Sequence, residues 1–414
     1  RAVPEGDQYR IFGQKIFITY GEHDITDNIV HLVLARLPGA PPGTRGISLF
    51  LVPKFLLNAD GSPGARNDVR CHALEHKLGI HASPTATMIF GDDGGAVGWL
   101  VGEENKGLNC MFTMMNNARL AVGTQGVAIA ERAYQHALAY AKERKQGRAV
   151  GAPSASPIIE HPDVKRMLLE MRTKTAAGRA LCFMTAAALD RYHRLEDPAA
   201  KKAAHEDASI LTPVAKAFST DIGIEVASLG VQIHGGMGFV EETGAAQHYR
   251  DARILAIYEG TNGIQAIDLV QRKLPLADGA RVREMIAGYR RSAEHARTIN
   301  DPGFKRVGDR LVTAVAALER ATDFMFANLK SNTNAALAGA TPYLRLFALA
   351  SGGASLAEQA LAARVAMAAG DTDPRQARRI ADARFFAENL AAGAEGFELA
   401  VTEGGDAVLA EFAD

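Results

Sequence analysis

The chain has 414 residues, 47% of them hydrophobic and 22% charged, enough to bury a substantial core in two or three domains. Its 46 basic and 47 acidic side chains leave a formal net charge of −1, which excludes a global field for drawing in nucleic acid or an anionic membrane. No run approaches the roughly 18 to 20 apolar residues of a membrane helix, and Cys71, Cys110 and Cys182 fit neither a disulfide framework nor a metal-ligand spacing. The expectation is a cytoplasmic protein with no metal and no membrane contact.

The polar opening, Arg1 to Gln8, passes at once into strand-like sequence, as though the chain began inside a domain. From Tyr9 to about Phe90 the period is short. Tyr9 and Ile11 alternate, Ile16-Phe17-Ile18 follows Gln14-Lys15, and Ile29 to Leu34, Ile47 to Val52 and Thr85 to Phe90 are rich in branched and aliphatic residues between turns of Gly, Pro, Asn and Asp. This predicts an antiparallel β region. After Gly107 the apolar residues take helical spacing. Leu108 to Lys142, then Val164 to Arg191 behind His161-Pro162, then Ala203 to Leu229 predict long antiparallel helices of a bundle. Beyond Lys273 the pattern stays helical, with breaks at Asp301-Pro302-Gly303 and Gly370 to Pro374. The predicted organisation is therefore α+β: residues 1–107 as part of a β domain, 108–279 as a four-helix bundle, and 280–414 as an added helical domain.

Four segments could carry chemistry. In Arg250 to Gln265 a single carboxylate, Glu259, stands between an apolar run and a Gly260-Thr261-Asn262-Gly263 turn that opens another helix. Desolvation there would suit a general base working near neutrality, and Thr261 or Asn262 would cap the helix. The plain alternative is a helix-end acid beside an ordinary cap. Gln232-Ile233-His234-Gly235-Gly236-Met237-Gly238 joins two helices, and its glycines allow a bulky ligand or phosphate to approach the backbone. A glycine-rich connection between packed helices explains it as well, and His234 reads as structural. Arg144-Lys145-Gln146-Gly147-Arg148 is either a solvated helix end or a pyrophosphate clamp. Asn116 to Arg119, after Met111, Met114 and Met115, is either core or the polar mouth of an acyl tunnel.

Taken in this order from Tyr9 to Lys273, and joined by Lys15-Ile16-Phe17-Ile18-Thr19, Lys77-Leu78-Gly79 with Ser83 and Thr85, and Gly102-Glu103-Glu104-Asn105-Lys106-Gly107, these segments resemble the acyl-CoA dehydrogenase family. The resemblance implies an FAD-dependent α,β-dehydrogenation of an acyl-CoA thioester to a trans-2-enoyl-CoA, with electrons passed to an electron-transfer flavoprotein. It makes Glu259 the base and places Arg119, Asn116 and Ser83 at the substrate. Phe17 and Thr19 would touch the isoalloxazine. Arg144, Gln146, Gln232, Gly235, Gly236 and Thr261 would hold the rest of FAD, partly from a neighbouring subunit, in a homodimer or homotetramer.

The sequence departs from the family at Gly147, where an aromatic residue is usual, which puts cofactor contacts from that loop in doubt. The family's N-terminal helical domain and the first part of its β domain are also missing, so a chain of this span is expected to hold FAD poorly and to be inactive by itself. The wording around Glu259, the Glu241-Glu242-Thr243-Gly244 turn and the extra helices resemble a longer bacterial branch. Two alternatives share the scaffold: an acyl-CoA oxidase using oxygen, and a DNA-associated flavoprotein. The second calls for a basic added domain, whereas Arg290, Arg291, Arg378 and Arg379 are balanced by Glu395, Glu398, Glu403, Asp406 and Glu411. A purely structural helical protein is the third alternative, and bound flavin would exclude it.

Overall fold

A computed structural model describes residues 1–411, which form two compact units, Arg1–Asn117 and a second from Ala118 onward. The fold is α+β, with antiparallel sheets first and long helices after.

In the first unit, β1 (Ala2–Glu5), β2 (Gln8–Ile11) and β3 (Gly13–Thr19) lead to β4 (Val30–Arg36) and β5 (Ile47–Pro53). The short pair β6 (Phe55–Leu57) and β7 (Pro63–Arg66) precedes β8 (Val69–Leu74), β9 (Thr85–Phe90) and β10 (Ala96–Val101). One sheet has the order β1-β2-β10-β5-β4 and a second β3-β9-β8. Their inward faces meet in a core of Ile11, Val33, Phe50, Val52, Met88 and Phe90, so that alternate positions are buried, Val33 and Ala35 in β4 and Ala86, Met88 and Phe90 in β9. The register of β3 on β9 slips between Lys15 and Ile18, and within that bulge Phe17 takes φ +58°, unusual for a bulky side chain. The slip leaves Phe17 66% exposed instead of alternating into the core.

Helix α1 (Gly107–Glu143) runs from the first unit into the second, where α2 (Pro162–Arg194) and α3 (Pro198–His234) pack along their length. Proline at the first position of α2 and α3 costs no hydrogen bond, and the Asp197 side chain accepts from the Ala200 N–H to cap α3. Two short helices follow, α4 (Ala245–Arg253) and α5 (Asn262–Asp268). Helices α6 (Ala280–Thr298), α7 (Pro302–Asn328) and α8 (Thr333–Ala338) come next, then α9 (Ala340–Ala368), α10 (Pro374–Phe385), α11 (Ala394–Thr402) and α12 (Gly405–Leu409). The breaks read at Asp301-Pro302 and Gly370–Pro374 are the starts of α7 and α10, both capped by an aspartate before a proline.

Helix α9 ties the C-terminal helices to the bundle. Over Tyr343 to Ala357 it is buried nearly all round, and it packs on α2, α3, α5, α6 and α7, with Gly352 so close to α2 that an added Cβ would stand 3.1 Å from the Ala177 Cβ. Arg345 on α9 donates to Glu225 of α3 at 2.7 and 3.0 Å, and Lys174 of α2 reaches the same carboxylate at 2.7 Å. Burial opposes ionisation of Glu225, but the two cations win and hold its carboxyl below the ordinary range. A depressed folded-state pKa adds stability that is present above the unfolded value and lost as pH falls through the folded one. Glu225→Gln is therefore expected to lower unfolding free energy by about 1–2 kcal/mol at pH 7, with the gap from wild type closing as pH falls below about 4.3. Urea titrations at pH 7 and pH 3.5 check this, and a gap that widens on acidification would rule it out.

Glycines set the approach of α1 to α3, with Gly126 at the tightest point and Gly123 and Gly223 beside it. A Cβ at Gly126 would lie 2.3 Å from the Ser219 carbonyl oxygen, so any larger residue must push a helix backbone aside. Gly126→Ala should cost roughly 1–3 kcal/mol, read by thermal unfolding, and an unchanged midpoint would contradict the tight crossing.

Candidate active site

The segment that connects α4 to α5 is irregular for a reason visible in its backbone. After a 3₁₀ turn at Ile254–Ala256, Glu259 takes φ +56° and Gly260 φ +83°, two successive left-handed residues that cannot continue a helix. For glutamate that setting costs on the order of 1–3 kcal/mol. Restraints from three sides hold it. Gln265, fully buried on α5, donates its side-chain amide to the Glu259 carbonyl at 3.3 Å and the Gly260 carbonyl at 3.4 Å. Lys216, fully buried in the middle of α3, donates to the Gly260 carbonyl and to the Asn262 side-chain oxygen, both at 2.9 Å. Tyr258, just before the turn, donates its hydroxyl to the Gln125 side chain on α1 at 2.5 Å.

Asn262 is engaged on both sides of its amide, because its nitrogen donates to Asp221 at 2.6 Å. Thr261 caps α5 by accepting from the Ile264 N–H at 3.3 Å. Arg119 of α1, 7% exposed, lies with its guanidinium beside Gly260 and pairs with buried Asp268 at 3.3 Å. Electrostatics follow burial. Desolvation pulls the Lys216 ammonium down to about 8, Arg119 adds to the effect, and Asp221 and Glu259 oppose it. Desolvation raises the Asp221 carboxyl and, with the negative charge of Glu259, the Tyr258 phenol. Glu259 itself is half-buried, less enclosed than the apolar run before it suggested.

The structure thus brings Glu259, Arg119 and Thr261 together around one turn. It sets the other candidates apart. Gln232, Gly235 and Gly236 are exposed at and just beyond the C-terminal end of α3, 16 to 20 residues past Lys216, or roughly 24–30 Å along the helix. Gly235 takes φ +60°, and a Cβ at either Gly235 or Gly236 would meet nothing within 4 Å, so a large ligand can reach this backbone. Beneath the turn His234 is buried, its Nδ1 2.7 Å from the Gly230 carbonyl and its ring between Tyr140 and His136, a structural place. Arg144 and Gln146 are exposed on a loop beyond α1, which closes on itself through backbone bonds from Gln146 to Ser156 and from Ile158 to Arg144. Asn116 is exposed on α1. In the first unit Thr19 pairs with Thr85 across β3 and β9, while the Ser83 carbonyl accepts from Lys77 at 2.8 Å.

Three contributors escaped the sequence: Lys216, Gln265 and Asp268. A signal existed for Lys216, which is the one charged residue between Asp207 and Asp221 in an otherwise apolar or small stretch. Gln265 and Asp268 share the buried side of α5, three residues apart, but nothing local in their sequence separates them from surface residues.

Comparisons with known proteins agree with this architecture. Residues 105–274 match the family of the acyl-CoA dehydrogenase C-terminal domain, and residues 280–411 match a family described as acetyl-CoA dehydrogenase C-terminal like. The chain is 50% identical over 413 residues to the 3-methylmercaptopropionyl-CoA dehydrogenase of Ruegeria pomeroyi, covering 99% of this chain and 69% of that protein. It is 37% identical over 399 residues to a butyryl-CoA dehydrogenase of Syntrophomonas wolfei, covering 94% of this chain and 65% of that one. An acyl-CoA dehydrogenase of Bacillus anthracis, solved in complex with FAD, shares the fold with a TM-score of 0.72 at 23% identity, over 98% of this chain and 66% of its own. The chain spans about two thirds of the length of these relatives, between 65% and 69%. The chain belongs to the acyl-CoA dehydrogenase family, whose members are FAD-dependent oxidoreductases. The similarity to the Ruegeria protein accords with the longer bacterial branch read from the Glu259 segment.

Proposed function

We propose that the whole protein dehydrogenates an acyl-CoA thioester at its α,β bond, with Glu259 as the base. The observation that carries this reading is the Glu259–Gly260 turn, in which one carboxylate is displayed on a left-handed backbone whose carbonyls are held by Lys216 and Gln265. The donors present fit FAD. The glycine turn at Gly235-Gly236 is open to a pyrophosphate, Gln232 stands exposed beside it, and Thr261 starts a helix whose first N–H groups suit an electron-rich ligand. Phe17 and Thr19 are the proposed ring contacts, with Arg144, Gln146, Gln232, Gly235 and Gly236 on the pyrophosphate and adenine side, partly from a neighbouring subunit of a homodimer or homotetramer. FAD would supply the acceptor for the two electrons and hydrogen leaving the β-carbon.

The chain's own part is to bind, orient and take a proton. The Glu259 backbone N–H donates to the thioester carbonyl and acidifies the α-carbon. A Glu259 carboxylate oxygen then accepts the α-proton. Arg119, Asn116 and Ser83 are the proposed substrate contacts. Electrons would leave to an electron-transfer flavoprotein, and three free thiols accord with a cytoplasmic setting.

The name of the Ruegeria relative makes a 3-methylthiopropanoyl thioester the first substrate to try, with butyryl-CoA as the comparison. Anaerobic titration of the full-length protein with a panel of acyl-CoA thioesters is expected to bleach the flavin absorbance. No bleaching by any of them would overturn the reading, and hydrogen peroxide formed in air would make the protein an oxidase instead.

A further inference from the structure

Lys216 is out of place by any rule of core composition. Its side chain is fully buried in the middle of α3, in a stretch where Thr212, Val214, Phe218 and Ser219 are buried too and where leucine or methionine would fill the space without desolvating a charge. Nor, among the described residues, is it held by a close carboxylate partner of the kind that usually justifies a buried cation. Its two short contacts, both 2.9 Å, go to the loop, one to the carbonyl of Gly260 and one to the Asn262 side chain. The charges that face it come from three elements: Asp221 on α3 itself, Arg119 on α1 and Glu259 on the turn. An ammonium is a compact donor on a stem that reaches across a helix interface, and here it reaches the one backbone carbonyl that follows the carboxylate.

We propose that Lys216 is a positioning residue that locks the Glu259–Gly260 turn in its left-handed setting from the α3 side and so fixes where the Glu259 carboxylate points. This deepens the dehydrogenase reading and rests on it. Two left-handed residues in a row place their carbonyls outside any helical ladder. The Gln265 amide at 3.3 and 3.4 Å supplies long bonds from α5, and Lys216 supplies the short one. Through Asn262 the same ammonium also grips the first residue of α5, so the turn is fixed at its centre and at its exit. A carboxylate on a turn free to rotate would still exist but would spend little time aimed at an α-proton, and misplacement by about 1 Å is enough to cost roughly 100-fold.

The test uses full-length flavoprotein carrying Lys216→Met and, separately, Lys216→Ala, with Glu259→Gln as control. The rate of anaerobic flavin bleaching by saturating acyl-CoA is measured per bound flavin, with unlabelled and α-deuterated substrate. Lys216→Met is expected to lower that rate about 10- to 100-fold, to raise the isotope effect, and to leave the acyl-CoA dissociation constant within about threefold. In Lys216→Ala, propylammonium fits the space left by the stem and is expected to restore part of the rate, with no effect on wild type. A purely structural lysine would change the yield of folded protein but neither the per-flavin rate nor the isotope effect. If both variants match wild type per flavin while Glu259→Gln is inactive, the positioning role is refuted and the base assignment stands. If Glu259→Gln bleaches normally, the dehydrogenase reading itself fails. If neither lysine variant folds at any propylammonium concentration, Lys216 is a folding residue and the positioning role is likewise refuted.

Discussion

Glu259→Gln in the full-length protein is expected to bind FAD as wild type does and to lose acyl-CoA-dependent bleaching by at least the roughly 10²- to 10⁴-fold ascribed to a general base. Glutamine keeps the shape of the side chain, and the bonds that hold the turn run to backbone carbonyls, so geometry should survive. Among the described residues no nearby carboxylate can substitute. Asp268 is buried against Arg119, and Asp221 accepts from Asn262. The backbone yields a second, independent prediction from the same residue. At φ +56° glycine is at ease where glutamate is strained, so Glu259→Gly should be equally inactive yet no less stable, with its melting midpoint unchanged or raised. A fall in midpoint for Glu259→Gly would mean that the side chain, not the chemistry, explains the strained turn. Bleaching by either variant at the wild-type rate would remove Glu259 from the mechanism.

Much of the fold was legible because its signals are local. Pro162 after His161 marks the start of α2, Asp301-Pro302 that of α7, and the switch from alternating to helical spacing at Gly107 marks where sheets give way to helices. Helix α3 runs beyond the predicted Ala203 to Leu229 at both ends, as Pro198–His234, because Asp197 caps it and Pro198 is its first residue. At the site, Glu259 and Thr261 were legible since the Gly-Thr-Asn-Gly turn announces a helix start. Lys216 stood out only as a lone charge in an apolar stretch, because the partners that give it a role lie 44 and 46 residues away. The bulge at Phe17 also left no signal in its sequence, since register is set by pairing with β9. Arg119 shows the same limit from the other side. The sequence offered it as a cation beside a methionine stripe, and its ion-pair partner Asp268 lies 149 residues on.

That pair carries the second large effect. Arg119 and Asp268 have side-chain exposures of 8% and 4%, and Asp268 takes a second cation, Arg272, at 3.2 Å. The two partners are not equivalent. If Arg119 is replaced by methionine, Asp268 keeps Arg272 and its charge stays compensated. If Asp268 is replaced by alanine, Arg119 is left buried with no carboxylate at ion-pair distance among the described residues and with its charge still repelling the Lys216 ammonium. Removing one member of a buried pair typically costs about 3–5 kcal/mol, most of it from the stranded charge. Asp268→Ala should therefore fall in that range by urea unfolding and Arg119→Met well below it. The double variant should recover much of the loss, because deleting Arg119 deletes the charge that Asp268→Ala exposes. Kinetics separate structure from substrate contact. If Arg119 also touches the acyl-CoA, Arg119→Met will raise its dissociation constant at a stability cost too small to explain the change. A cost below about 1 kcal/mol for Asp268→Ala, or strict additivity in the double variant, would show that Arg119 and Asp268 are not energetically coupled.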